Sequence, residues 1–242
     1  MTMTISVAIN GYKGKMGSES VIAVGNDPDL ELIACTDVDD NFQEMLTEKK
    51  PQAVLDFTHP DTVFNNTKSI IENGSYAVIG TTGLTDDQLN ELDTLSKSKN
   101  VGVAICPNFA IGAILMMQLA SKAAKYLPRA EIIEYHHDKK ADAPSGTAIK
   151  TAQMIQKDNP TINNVTLDET ELIKGSRGGT CEQIPIHSVR LPGYIASQEV
   201  ILGGLGQTLT IRHDTISRES FMPGVVLALK EVTKTTGLTY GL

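Results

Sequence analysis

Several residue types that particular functions require are scarce in this chain. It contains no Trp, and its six Tyr and five Phe make up the whole aromatic content of 242 residues. A surface that stacks the bases of single-stranded nucleic acid needs more aromatic side chains than this. Basic residues are also few, since 21 Lys and Arg stand against 29 Asp and Glu and give a formal net charge of -8. We therefore expect no nucleic-acid partner and no anionic membrane partner, although a local basic pocket is still compatible with a small anionic ligand.

Cysteines and long apolar runs are scarce as well. Cys35, Cys106 and Cys181 are far apart and form no CxxC motif, which is typical of reduced thiols in a cytosolic protein. The stretch MTMTISVAING lacks the basic segment and the apolar core of a signal peptide, and no run is long enough to span a bilayer. The sequence thus predicts a cytoplasmic protein without a membrane-spanning segment.

Short apolar runs alternate with amphipathic segments over the first hundred residues. The runs predict buried strands over residues 5–10, 31–37, 53–58, 76–83 and 101–106. Helices are predicted from near Lys15 to about Gly25, over residues 61–74, and after a capping box formed by Thr85 and Gln88. This alternation favours an α/β fold with a Rossmann-like, doubly wound parallel sheet.

The pattern changes after the fifth predicted strand. A long apolar helix is predicted over residues 111–127, a strand over 131–137 and a helix from about Ser145, and residues 181–214 alternate as strands do. A last helix is predicted over residues 220–232. No flexible spacer separates the two parts of the chain, which favours two packed domains with a cleft between them.

The segment INGYKGKMG places three glycines between the first predicted strand and its helix. Gly11 and Gly17 fit the first and third positions of the dinucleotide-binding fingerprint, whereas the second position holds Lys13 and Gly14 comes one residue later. A lone glycine-rich turn also occurs without a ligand, and that alternative stays open. Lys13 and Lys15 favour a phosphate at the start of the helix, where free amides already attract anions.

Asp37 closes the second predicted strand about twenty residues after the loop. An acid at that point typically binds a ribose 2′-hydroxyl and disfavours a 2′-phosphate, so the sequence favours NADH. The two loop lysines leave NADPH as an alternative, and a solvated loop acid is the other interpretation of Asp37.

The densest cluster of chemically active residues is EYHHDKKADAPSGTA, residues 134–148. His136 and His137 would point to opposite faces of a strand, and no third ligand stands at the spacing of a zinc protease, so we predict no metal site. Pro144 and Ser145 predict the start of a helix, and free amides at a helix start bind carboxylate or phosphate well. A His proton donor, Lys ammonium groups and such amides suit a small acidic substrate that takes up a proton during reduction.

These motifs are similar to those of one enzyme family. Residues 134–148 match the signature E-x-H-H-x-x-K-x-D-x-P-S-G-T-A at every fixed position, and residues 11–17 match G-x-x-G-[RK]-M-G. The segments LDFTHP (55–60), VIGTTG (78–83) and PNFAIG (107–112) resemble the family's nicotinamide-side motifs. On these residues the chain resembles the 4-hydroxy-tetrahydrodipicolinate (dihydrodipicolinate) reductases of bacterial lysine biosynthesis.

The resemblance implies an enzyme that uses NADH or NADPH to reduce a small dicarboxylate heterocycle. 4-Hydroxy-tetrahydrodipicolinate would be converted, through dihydrodipicolinate, into tetrahydrodipicolinate. Residues 1–107 and 218–242 would form the dinucleotide-binding domain. Residues 108–217 would form an α+β domain whose mixed sheet binds substrate and assembles a homotetramer.

The resemblance also implies roles for individual residues. His136 would be the general acid, assisted by Lys140. The substrate carboxylates would be bound by His137, Lys140, Ser145, Gly146 and Thr147. The implied cofactor-binding residues are Gly11, Tyr12, Lys13, Gly14, Lys15, Met16, Gly17, Asp37, Phe57, Gly80, Thr81, Thr82, Pro107, Asn108 and Phe109.

Two other functions remain as alternatives. An aldehyde or semialdehyde dehydrogenase needs a cysteine nucleophile, and Cys106, at the end of a predicted strand, is the only candidate. A nicotinamide-binding sensor without turnover would need the glycine loop but not the acid–base cluster at residues 134–148.

Overall fold

The computed structural model describes residues 4–164 and 170–242, and the chain divides into two units. The first unit comprises the described residues up to Ile111 together with Arg218–Leu242, and the second comprises those from Gly112 to Ser217. No helix in the described part of the chain is long and apolar enough to cross a membrane.

The first unit is built on a six-stranded sheet in which every pair of neighbouring strands is parallel. Its strands are β1 (Ile5–Asn10), β2 (Leu30–Thr36), β3 (Ala53–Asp56), β4 (Tyr76–Ile79), β5 (Gly102–Ile105) and β11 (Gly237–Tyr240). Their order across the sheet is β11-β5-β4-β3-β1-β2. The helices are α1 (Lys15–Asn26), α2 (Phe42–Lys49), α3 (Pro60–Glu72), α4 (Asp86–Lys99) and α7 (Met222–Val232), the last preceded by a 3-10 helix (Arg218–Phe221).

Apolar side chains cover both faces of this sheet. Successive strand residues point to opposite faces, so Val7 and Ile9 enter one hydrophobic cluster while Ala8, between them, enters the other. All four residues of β3 and of β5 are buried. This double burial explains the uninterrupted apolar runs and confirms the predicted doubly wound α/β fold.

The described residues of the second unit form a five-stranded mixed sheet and two helices. Its elements are α5 (Ile111–Ala124), β6 (Arg129–His136), α6 (Gly146–Asp158), β7 (Gly179–Cys181), β8 (Ile184–Arg190), β9 (Ala196–Gly204) and β10 (Gln207–Thr215). The strand order is β10-β9-β6-β8-β7, in which only the β6–β8 pair is parallel. Side chains from α5 and α6 pack with Ile132, Val200 and Leu202 in one core. The expected α+β part with a mixed sheet is therefore confirmed.

Two elements, α2 and β11, were not predicted from the sequence. Helix α2 has eight residues and buries only Met45 and Leu46, which is too short a pattern to show helical periodicity. Strand β11 is an edge strand that depends on pairing with β5, 132 or more residues earlier in the chain. Helix α5 ends at Ala124 rather than at Leu127, and the last helix begins at Met222 because residues 218–221 form the 3-10 turn. The capping box of Thr85 and Gln88 is confirmed at the start of α4.

Two glycines of α1 provide a matched stability test. A Cβ on Gly17 would overlap the carbonyl oxygen of Gly11, whereas a Cβ on Gly25 would have no atom within 4 Å. Gly17→Ala should therefore destabilise the protein by about 1–3 kcal/mol through overpacking. Gly25→Ala should leave stability unchanged or raise it by up to about 1 kcal/mol. Urea unfolding of both variants measures the difference, and equal stabilities would contradict the close approach of α1 to the loop.

Candidate active site

The glycine loop joins β1 to α1 with its backbone exposed at the helix start. Gly11 has φ of 85°, a left-handed conformation that favours glycine, and a Cβ there would overlap the backbone of Phe57. The N-cap residue is Gly14, which has no side chain to accept hydrogen bonds from the first amides of the helix. Those amides and the helix dipole are suited to a phosphate. Tyr12 and Met16 pack against the hydrophobic core of this unit, while Lys13 and Lys15 are exposed.

Asp37 lies directly beside this loop, as the fingerprint predicts. Its carboxylate accepts hydrogen bonds from the backbone amides of Val38 and Lys13, both at 2.9 Å. These two bonds, that from Val38 first, hold the pKa of Asp37 below its ordinary value. The ammonium of Lys13 lies 3.3 Å from a carboxylate oxygen of Asp39. The backbone amide of Lys13 therefore holds the carboxylate of Asp37 beside the glycine loop.

A buried carboxylate organises the carboxyl ends of three neighbouring strands. Asp56, the last residue of β3, is fully buried and accepts hydrogen bonds from Asn10 at 3.0 Å and from Thr81 at 3.0 Å. Thr58 and Asn66 donate to the same carboxylate at 2.7 and 3.1 Å. Asp56 thereby ties the end of β1 to the segment that follows β4.

The predicted nicotinamide-side residues of the first unit gather at this edge. The rings of Phe57 and Phe109 meet edge to face with centroids 5.5 Å apart, and a Cβ on Gly80 would collide with the Phe57 ring. The side chain of Asn108 accepts a hydrogen bond from the amide of Ala110 at 2.8 Å. Thr81 is buried, whereas Thr82 and Pro107 are exposed.

In the second unit, His136 is the last residue of β6 and lies on the same face of the strand as Glu134. Its Nδ1 atom is 2.5 Å from Oε2 of Glu134. Glu134 is fully buried, and the guanidinium of Arg190 grips both of its oxygens at 2.8 and 2.9 Å. Burial alone would raise the pKa of Glu134, but the hydrogen bonds from His136 and Arg190 outweigh it and lower the pKa to about 2. An ionised carboxylate at this distance favours a proton on Nδ1 of His136, and Nε2 takes no part in this contact.

The loop after β6 carries the remaining residues of the signature. His137 is exposed, and its carbonyl accepts a hydrogen bond from the amide of Lys140 at 3.1 Å. The ammonium of Lys140 contacts both oxygens of Asp142, at 2.6 and 2.8 Å. This hydrogen bond lowers the pKa of Asp142. Lys140, whose ammonium is predicted to bind the substrate, thus forms an ion pair with Asp142.

Helix α6 begins within the last residues of the signature, at Gly146. The hydroxyl of Ser145, its N-cap, accepts a hydrogen bond from the amide of Ala148 at 3.3 Å. Gly146 is exposed with open space where a Cβ would stand, and Thr147 is half-buried. The amides at this helix start are suited to a carboxylate.

Comparison with known proteins assigns the chain to a family. A family model described as dihydrodipicolinate reductase, N-terminus, matches residues 5–109, and one described as dihydrodipicolinate reductase, C-terminus, matches residues 112–242. The chain belongs to the dihydrodipicolinate reductase family. The two family models together cover residues of both units, so the similarity to the family extends over both.

Individual members of the family are similar to this chain over nearly its whole length. The chain is 50% identical to a 4-hydroxy-tetrahydrodipicolinate reductase of Listeria monocytogenes, with 98% of this chain and 97% of that relative covered. It is 48% identical to a protein of the same name from Syntrophomonas wolfei, with coverage of 100% and 98%. The solved structure of dipicolinate-bound dihydrodipicolinate reductase from Paenisporosarcina sp. TG-14 is 43% identical and superposes with a TM-score of 0.92 over 99% of this chain and 98% of that one.

The structure argues against the alternative function of an aldehyde or semialdehyde dehydrogenase, which needs a cysteine nucleophile. Cys106 is buried, with 1% of its surface exposed, and burial raises the pKa of its thiol to about 12. A thiol with that pKa is protonated at neutral pH and is a poor nucleophile. Among the described residues, no three or more His, Cys, Asp and Glu side chains are grouped as metal ligands.

Sequence reasoning did not assign roles to four residues that organise these sites. Glu134 and Asp142 stand inside the signature, and an acid two residues before a strand histidine was a usable signal for the first of them. Asp56 ends a fully buried strand, which is an unusual position for an acid and was a second usable signal. Arg190 is 56 residues from Glu134 and carried no sequence signal.

The buried carboxylate of Glu134 predicts a specific pH dependence of stability. Its pKa is lowered from 4.5 to about 2 in the folded protein, so its stabilising effect is complete above pH 4.5 and is lost as the pH falls toward 2. The free energy of unfolding of the native chain, minus that of Glu134→Gln, should fall by about 2 kcal/mol between pH 5 and pH 3. Urea titrations of both proteins at each pH measure this difference. A difference that stays constant over the range would contradict an ionised, paired Glu134.

Proposed function

We propose that this chain reduces 4-hydroxy-tetrahydrodipicolinate, by way of dihydrodipicolinate, to tetrahydrodipicolinate, with NADH or NADPH as reductant, in diaminopimelate and lysine biosynthesis. The observation that carries the proposal is the complete signature on a strand, loop and helix, with His136 held by a buried carboxylate. Half of the residues are identical to a reductase of that name over nearly the whole chain.

Residues 1–107 and 218–242 serve as the dinucleotide-binding domain in this proposal. The left-handed Gly11 and the side-chain-free N-cap at Gly14 fit a pyrophosphate at the start of α1. Asp37 receives the ribose hydroxyls. The nicotinamide is received by Phe57, Gly80, Thr81 and Thr82 together with Pro107, Asn108 and Phe109. Reduced nicotinamide supplies a hydride when it is bound.

Residues 108–217 bind the substrate and form the oligomer. The two substrate carboxylates are held by the amides and hydroxyls of Ser145, Gly146 and Thr147 and by the side chains of His137 and Lys140. Two anionic groups on one small ring account for this density of donors and cations. Asp142 holds Lys140 in place until the substrate carboxylate competes for its ammonium.

His136 supplies the proton that completes the reduction. Hydride addition to a conjugated imine leaves negative charge on the ring, and a positioned general acid neutralises it. With Nδ1 bound to Glu134, the proton leaves from Nε2. Lys140 assists as a second cation and proton donor.

In this proposal the enzyme prefers NADH over NADPH. Asp37 is ionised beside the loop, and Asp39 and Asp40 follow it, so a 2′-phosphate would meet negative charge. Lys13, which could offset that charge, is already paired with Asp39.

A cytoplasmic homotetramer completes the proposed function. Leu205 and Leu209, at and after the turn between β9 and β10, are exposed in the single chain, and contact with a second copy of the chain would remove them from water. The three cysteines form no disulfide in the described chain, as in a reducing compartment.

A coupled assay tests the proposed reaction directly. The substrate is made in the cuvette from pyruvate and aspartate semialdehyde by the condensing enzyme, and the loss of reduced-nicotinamide absorbance is followed with each cofactor in turn. Turnover with either cofactor supports the proposal. Cofactor binding in a calorimeter without turnover would favour the nicotinamide-binding sensor instead.

Replacement of the general acid should reduce the rate of the chemical step. His136→Gln should lower kcat by about 100-fold or more with a modest change in KM, because the proton donor acts only in the transition state. Lys140→Ala should impair both constants, since this residue also binds substrate. His187→Gln is the control, because His187 bonds to Glu131 at 2.8 Å in the same sheet and has no proposed catalytic role. Native kcat in His136→Gln would remove His136 from the mechanism.

Removal of the acid at the ribose site should change the cofactor preference. Asp37→Ser should shift the ratio of kcat/KM for NADPH over NADH by about 10-fold or more toward NADPH, because the repulsion of the 2′-phosphate is relieved. Glu91→Gln, an exposed acid on α4, is the control. An unchanged ratio would support the solvated loop acid as the correct interpretation of Asp37.

A further inference from the structure

We propose that Glu134 and Arg190 are positioning residues that act through His136, and that they also hold the carboxylate-binding helix start in register with it. The inference rests on the proposed function, because it assigns His136 as the proton donor of that reaction. Glu134 touches no substrate atom in this proposal. Its effect on kcat is through the tautomer and the orientation of the imidazole.

All of the acceptor capacity of Glu134 is used. Oε2 accepts from Nδ1 of His136 and from Nη1 of Arg190, while Oε1 accepts from Nη2 of Arg190 and from the amide of Ser145 at 3.3 Å. A carboxylate oxygen accepts about two hydrogen bonds, so the group is saturated. One buried carboxylate therefore binds the proposed acid, a guanidinium and the N-cap of α6 at the same time.

Arg190 extends the same connection to the loop of the signature. Its Nη2 atom donates to the carbonyl of Asp142 at 2.7 Å, and its Nη1 atom donates to the carbonyl of Val189 at 2.8 Å. Asp142 in turn holds Lys140. The last residue of β8 thus joins β6, the loop and the start of α6, which are the three segments that carry the proposed acid, cation and amides.

The chemistry of a glutamine replacement follows from these contacts. Glutamine has one accepting oxygen and one donating NH₂ group. The oxygen is required at the Oε1 position, where it accepts from both Nη2 of Arg190 and the backbone amide of Ser145. The NH₂ group then faces Nδ1 of His136, which must accept, so the proton of neutral His136 moves to Nε2. An imidazolium, with protons on both nitrogens, no longer fits this contact. The variant thus keeps the shape of the side chain and loses the proton-donating form of His136.

A second pair on the same strand shows what a purely structural contact would look like. Glu131 also binds an arginine and a histidine, Arg177 at 2.6 Å and His187 at 2.8 Å. Its side chain is 35% exposed, whereas that of Glu134 is fully buried. Glu131→Gln therefore serves as the matched control for Glu134→Gln.

A double-mutant cycle with His136 tests the proposal. Glu134→Gln should lower kcat by about 10- to 100-fold in the native chain but by less than about 3-fold in a His136→Gln chain, because a residue that acts through His136 has little left to affect. Glu131→Gln should change kcat by less than about 3-fold in both chains. An equal fall of kcat for Glu134→Gln in both chains would overturn the proposal.

A spectroscopic measurement gives an answer that does not depend on turnover. Long-range ¹H–¹⁵N spectra of the five histidines should show neutral His136 as the Nδ1–H tautomer in the native protein and as the Nε2–H tautomer in Glu134→Gln. An unchanged tautomer would overturn the proposal even if the wild type were inactive in the coupled assay. Absent wild-type turnover with the expected tautomers would instead contradict the proposed function alone.

A second variant decides the matter if Glu134→Gln does not fold. Arg190→Lys keeps the positive charge but cannot grip both oxygens of Glu134 or reach two carbonyls with a planar fork. It should lower kcat in the native chain by about 10-fold and have less than about a 3-fold effect in the His136→Gln chain. Additive effects of Arg190→Lys and His136→Gln would overturn the proposal.

Discussion

The buried carboxylate of Glu134 is the contact on which the geometry of the second unit depends. A fully buried charge is costly unless it is paired and hydrogen-bonded, and here donors from three segments satisfy it, the side chain of Ser188 on β8 among them. Removal of any one donor would leave part of the acceptor capacity of this buried charge unpaired. Because breaking these hydrogen bonds would leave a buried charge unpaired, they restrain His136, the loop and the start of α6 in one arrangement.

The first unit uses the same device at a different place. Asp56 is buried at the end of β3 and collects donors from the ends of β1 and β4 and from α3. The carboxyl ends of parallel strands carry the ligand sites of open α/β sheets. At this edge the buried acid ties the strand ends together through hydrogen bonds, beside the apolar contacts of Phe57 and Phe109.

Local features were predictable from the sequence because they depend on neighbouring residues. The capping box at Thr85 and Gln88, the helix start at Ser145 and the buried strands of the first sheet all follow from spacing within a few residues. The edge strand β11 and the short helix α2 were missed, since one depends on a distant partner and the other buries too little for a periodic pattern. The family resemblance placed His136 and Lys140 at a site, but it assigned nothing to Arg190.

The sequence by itself determined the class of fold, the glycine loop and the signature from Glu134 to Ala148, and hence the family. Each of these is a pattern of residue types at short spacing along the chain. Only the tertiary structure decided that Arg190 meets Glu134, that Asp56 joins three strand ends and that Cys106 is too deeply buried to serve as a nucleophile. These contacts arise from strand order and burial. Residues 56 positions apart become neighbours only when β6 and β8 pair in parallel, and no local pattern encodes that pairing.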